Sequence, residues 1–186
     1  MTARQTAAPT RYDRRMLAIM NNPASRPYYA TSARRRTVVA AHVALTAGLL
    51  TTQIGGAAAH QPWLMLAGVL VMLPLWCIAT GIINGSTRGL LELRARVLDE
   101  RQLAERQRVY ALAHRISVAM LFGAVLAVGA LHWVGSTIPA GALPAVLVVA
   151  LVTFWLMPLW TAGLTARNEV ADDALDEAAD RFATGH

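Results

Sequence analysis

Residues 63–83 read WLMLAGVLVMLPLWCIATGII, an apolar run of 21 residues without a single Asp, Glu, Arg or Lys. A helix of this length, rising 1.5 Å per residue, crosses a hydrocarbon core of about 30 Å. Residues 37–59, 116–134 and 142–164 have the same character. Hydrophobic residues make up 55% of the chain and charged residues 15%, against about 25% charged in an ordinary soluble domain. Because that excess is collected into four runs, the chain reads as all-α. The expected architecture is an integral membrane four-helix bundle of two transmembrane hairpins with cytoplasmic helical arms.

Charge outside the runs sets the orientation. All 17 basic residues are Arg; eight precede residue 37, seven lie within 84–115 and two follow 164. The connections 60–62 and 135–141 hold none. The positive-inside rule therefore places both termini and the middle segment in the cytoplasm, as expected of a multi-pass protein of a bacterial inner (cell) membrane. The short outer connections make antiparallel neighbours of 37–59 with 63–83, and of 116–134 with 142–164. Trp63 and Trp133 stand beside them, at headgroup level. The small residues Ala57-Ala58-Ala59 resemble a signal-peptidase site, but the preceding apolar run is too long for a cleavable signal.

The two hairpins, 37–83 and 116–164, resemble each other. Arg36-Thr37-Val38-Val39-Ala40 opens the first and Arg115-Ile116-Ser117-Val118-Ala119 the second. Pro74-Leu75-Trp76 and Pro158-Leu159-Trp160 lie near their ends, and Leu98-Asp99-Glu100 and Leu175-Asp176-Glu177 follow. This order predicts a parallel repeat with a pseudo-two-fold axis along the membrane normal. Shared leucine and alanine bias is the other source of such matches. Pro74 and Pro158 each lack an N–H and crowd the carbonyl four residues back, so each is expected to kink its helix.

Residues 1–36 are basic, interrupted by Pro9, Pro23 and Pro27, and expected to be largely disordered. Arg34, Arg35 and Arg36 form a cluster expected to face anionic lipid. Nucleic acid is not an expected partner, because the aromatic content of this arm is too thin. Residues 84–115 form a second expected arm, helical from Gly89 onward. There Asp99-Glu100-Arg101-Gln102 reads as a capping box that breaks the helix near Leu98, although one unbroken helix into residue 116 fits as well. Leu90, Leu93 and Val97, at helical spacing, form an apolar stripe requiring a cover. This arm carries seven Arg and four acids, whereas the tail 165–186 carries six carboxylates and two Arg, so the two are expected to pack together. Surface ion pairs alone contribute little to such an association.

Chemistry is sparse. One cysteine, Cys77, excludes a disulfide framework and a CxxC pair; beside Trp76 it reads as a small buried hydrophobe. No nucleophile elbow, P-loop, HExxH or intramembrane carboxylate occurs, so the chain does not read as an enzyme and no cofactor is assigned. His42 and His114 near one face, with His60 and His132 near the other, are the only haem-ligand candidates for a four-helix carrier. His42, Thr46 and Gln53 share a face of the first span, where hydrogen bonds to another helix are the more economical reading.

Asp99-Glu100-Arg101-Gln102, Arg106-Gln107-Arg108, Tyr110 and Ala113-His114-Arg115-Ile116 together resemble the DERQ-type juxtamembrane segment of small uncharacterised bacterial membrane proteins, actinobacterial ones above all. The resemblance covers about 20 residues and the four-span layout; it implies topology and no activity. Three functions follow as expectations. The first is a non-enzymatic membrane protein whose arm, including Leu90, Leu93, Val97, Asp99, Glu100 and Arg101, binds a second copy or a membrane partner. The second is a small transporter or ligand-binding protein using the Pro-kinked spans, and the third a haem electron carrier.

Overall fold

The computed structural model describes residues 10–20, 27–95, 98, 100–135 and 142–166. Among them are five helices and no strand: α1 (Arg11–Met20), α2 (Ser32–Ala58), α3 (Pro62–Ser86), α4 (Glu100–Trp133) and α5 (Ala142–Thr165). The last four are long and apolar enough to cross a membrane.

Their ends follow local chemistry. Thr31 caps α2, its hydroxyl accepting from the Arg34 N–H at 3.3 Å. At the other end the N–H of Gln61 reaches the Gly56 carbonyl (2.8 Å) and that of His60 the Ala57 carbonyl (3.2 Å), a Schellman closure. His60 occupies its left-handed position, with φ 52°. The same closure ends α3: Gly89 N–H bonds Asn84 C=O (2.8 Å) and Arg88 N–H bonds Gly85 C=O (3.1 Å). Pro62 sits at the start of α3, where its missing N–H costs nothing. Pro74 and Pro158 lie inside α3 and α5.

α2 and α3 pack along their length in antiparallel register. Added Cβ atoms at Gly48, Gly56 and Gly68 would meet Met72, Met65 and Thr52 respectively. Gly68 is the tightest of these approaches. A Cβ there would lie 2.8 Å from Thr52 Cβ, so only glycine lets the two helices come this close. α4 packs against α5, and α5 also reaches α2 and α3, joining the hairpins. A two-fold pair of hairpins would match the α2–α5 contact with one between α4 and α3; no comparable contact is present among the described residues. The buried residues gather toward the arginine-rich end of the helices. At the other end Val118–Trp133 of α4 is exposed throughout, a largely apolar surface.

Several expectations are corrected. Part of the N-terminal 36 residues is ordered as α1, closed by a capping box in which Thr10 N–H and Oγ1 donate to Asp13 Oδ2 (2.9 and 2.8 Å). Leu90 and Leu93 are buried in this chain's own core, Leu90 with Val109 and Ala162, so they present no stripe to a partner. The reason is the left-handed pair Arg88–Gly89, which ends α3 and folds 87–95 into turns instead of a helix. The break expected near Leu98 is present: Leu98 is not helical, and α4 begins at Glu100 and runs on through the third apolar run, 34 residues or about 51 Å. Val97 and Asp99 lie outside the described residues, as does the tail from 167 onward, where the expected arm–tail packing falls. Glu100 and Arg101 are exposed. Arg35 does not join Arg34 and Arg36 on the surface: its Nη2 donates to Ala166 C=O (2.8 Å), capping α5, and its Nη1 to Tyr29 C=O (3.3 Å). Cys77 is exposed on α3, one residue and about 100° of helix round from the inward-facing Trp76.

Candidate functional site

Two features adjoin α3 and α5. The first is a closed polar knot around His42, whose side chain is fully buried. Trp160 Nε1 donates to His42 Nδ1 (2.9 Å), and His42 Nε2 lies 2.9 Å from Thr80 Oγ1, which in turn donates to the Trp76 carbonyl (2.9 Å). An indole N–H is a donor only, so Nδ1 is the lone-pair nitrogen and the proton sits on Nε2. Trp76 Nε1 completes the knot by donating to Thr46 Oγ1 (2.9 Å), which donates to the His42 carbonyl (2.8 Å). The rings of Trp76 and His42 lie 4.8 Å apart. Gln53, further along the same face, donates to the Met65 carbonyl at 3.0 Å. The polar stripe of α2 is thus satisfied by α3 and α5, and the tryptophans of both Pro-Leu-Trp triplets converge on one histidine.

The second feature is a half-open cavity of about 880 Å³ between α3, α4 and α5. It lies where the missing α3–α4 contact would be. Trp76, Thr80 and Asn84 line it from α3 at intervals of four residues, hence from one face; Tyr110, Ala113, His114 and Ser117 line it from α4. Leu151, Phe154, Trp155, Leu156 and Pro158 line it from α5, and Glu92 reaches it from the turn segment. Pro158 has no N–H, so the carbonyl of Phe154 has no donor at the usual helical position.

Asn84 is the unusual member. It is 7% exposed, and its Oδ1 is buried without a hydrogen-bond partner. Its Nδ2 points to Glu92 Oε1 at 3.5 Å, and a flipped amide would set two acceptors against each other. The carboxylate therefore keeps the carbonyl oxygen as the orphan. Buried polar atoms nearly always find a partner, and leaving one without costs about 1–3 kcal/mol. The residue lines the cavity, while this oxygen is itself buried.

The histidines divide by role. His42 is locked in the knot, and its free lone pair is committed to Trp160, so it ligates iron only if that bond is given up. His114 lines the cavity, His60 closes the turn after α2, and His132 stands near the exposed end of α4. Among the described residues no three His, Cys, Asp or Glu side chains group to hold a metal ion. Asn84 and Glu92 escaped the sequence reading because both fell in a segment assigned to a cytoplasmic arm. The spacing of Trp76, Thr80 and Asn84, an unbroken polar-edged stripe crossing that boundary, was the available signal. Compared with known protein families, curated proteins and solved structures, the chain matches none.

Proposed function

We propose that the protein is a small, non-enzymatic ligand-binding or transport protein of a bacterial cell membrane, and that the cavity between α3, α4 and α5 is its binding site. The observation that carries this reading is the 880 Å³ cavity itself, lined by Asn84, whose Oδ1 is buried without a partner. That volume suits a small organic ligand, and mostly apolar walls with a few convergent polar groups are the usual composition of such sites. The alternative of an arm that recruits partners has less support, because Leu90 and Leu93 are already covered. In the proposed orientation the arginine-rich ends of the helices face the cytoplasm, with Arg34 and Arg36 against anionic headgroups. A duplicated hairpin ancestry fits the two Pro-Leu-Trp triplets, with the second hairpin having swung away from strict symmetry to open the cavity.

Native mass spectrometry of the full chain, gently extracted from its host membrane, tests the reading. We expect a one-to-one adduct on the 20.0 kDa chain, lost when Val152→Trp fills the cavity. Adduct-free chain from both proteins would overturn it.

A further inference from the structure

We infer that the cavity selects an amphiphile bearing a protonated primary amine; this rests on the binding-site reading above. Three observations on its wall point the same way. Asn84 Oδ1 is an orphan acceptor and calls for a donor. Glu92, 3.5 Å from the amide of the same Asn84, is the only carboxylate among the described lining residues, none of which is Arg. Four aromatic residues, Trp76, Tyr110, Phe154 and Trp155, also line it, and a cation gains where it meets an aromatic face.

A primary ammonium answers each of these. It has three N–H donors and no acceptor, so one pairs with Glu92 and another can satisfy Asn84 Oδ1 once that side chain turns toward the cavity. An anion would meet Glu92 with like charge, and a neutral alcohol would forgo the ion pair. Arg106, one turn before Tyr110 on α4, has Nη1 committed to the Leu93 carbonyl at 3.0 Å. Leu151, Val152, Leu156 and Leu159 offer the apolar body of the ligand an apolar wall. Two sources carry this chemistry, a free lipophilic amine and the ethanolamine headgroup of a membrane phospholipid.

The test uses the full chain in phosphatidylcholine nanodiscs and measures equilibrium binding of radiolabelled dodecylamine, dodecanol and dodecyl sulfate, with empty nanodiscs subtracted. Dodecylamine is expected to bind at least tenfold more tightly than the other two. Glu92→Gln is expected to remove most of that preference, and Glu92→Asp to keep part of it. Glu92 is exposed, so neither substitution threatens folding. Equal binding of the amine and the alcohol, or a preference that survives Glu92→Gln, overturns the ammonium inference and leaves the binding site standing. Binding of none of the three overturns both. Replacing a third of the lipid by phosphatidylethanolamine then separates the sources. Competition with dodecylamine supports the inference with a lipid ligand, and dodecylamine binding unaffected by that lipid supports it with a free amine.

Discussion

The indole N–H of Trp160 donates to the buried Nδ1 of His42 at 2.9 Å, across 118 residues of sequence. This bond ties α5 to α2, and the Nε2 of the same ring ties α2 to Thr80 in α3. Three of the four long apolar helices therefore meet at one imidazole.

Trp160→Phe keeps the ring and leaves Nδ1 of His42 buried without a donor. The expected cost is about 1–3 kcal/mol, the usual penalty for orphaning a buried polar atom. His42→Ala adds a cavity, and about 2–4 kcal/mol is expected. Reversible unfolding in mixed micelles reads both. If the double variant equals the sum of the singles, the two side chains are not coupled and the knot is wrongly drawn.

Asn84→Leu should move stability the other way. Leucine has nearly the same volume, loses only the long 3.5 Å contact to Glu92, and removes the buried orphan acceptor. A gain of about 1 kcal/mol is expected, together with loss of ligand binding, the usual opposition of stability and function at a site. A destabilised Asn84→Leu protein would mean that Oδ1 has a partner in the membrane-embedded molecule.

Arg34, Arg35 and Arg36 should not respond alike. Arg35 is buried and caps the last carbonyls of α5 through Ala166, so Arg35→Ala is expected to cost about 2 kcal/mol. Exposed Arg36, changed to Ala, is expected to lower affinity for phosphatidylglycerol vesicles by about 1 kcal/mol and leave unfolding unchanged. Thermal scans and vesicle flotation of each variant separate the two roles; equal thermal losses from all three positions would contradict them.

Gly68→Ala forces a methyl against Thr52 and should destabilise by about 1–3 kcal/mol. Gly55→Ala on α2 meets nothing within 4 Å and should gain up to about 1 kcal/mol from helix propensity. Matched unfolding curves for the two variants check whether α2 and α3 touch where the register places them.

The spans were legible because crossing a bilayer demands about 20 consecutive apolar residues, a constraint written along the chain. Four of the five helices accordingly fall where residues 37–59, 63–83, 116–134 and 142–164 lie. The polar stripe of α2 was also legible, since residues four apart share a helix face. Its partners were not: whether Thr46 and His42 meet Trp76, Trp160 or lipid depends on how helices far apart in sequence rotate and pack. Leu90 and Leu93 show the same boundary. Their spacing fits a helix, yet two left-handed residues at Arg88 and Gly89 turn the chain and drive both leucines into the core. Only tertiary packing decided that α5, and not a symmetric pair of hairpins, holds the helices together. The cavity beside Asn84 is the space that choice leaves, because volume between helices is set by their mutual placement and no single segment encodes it.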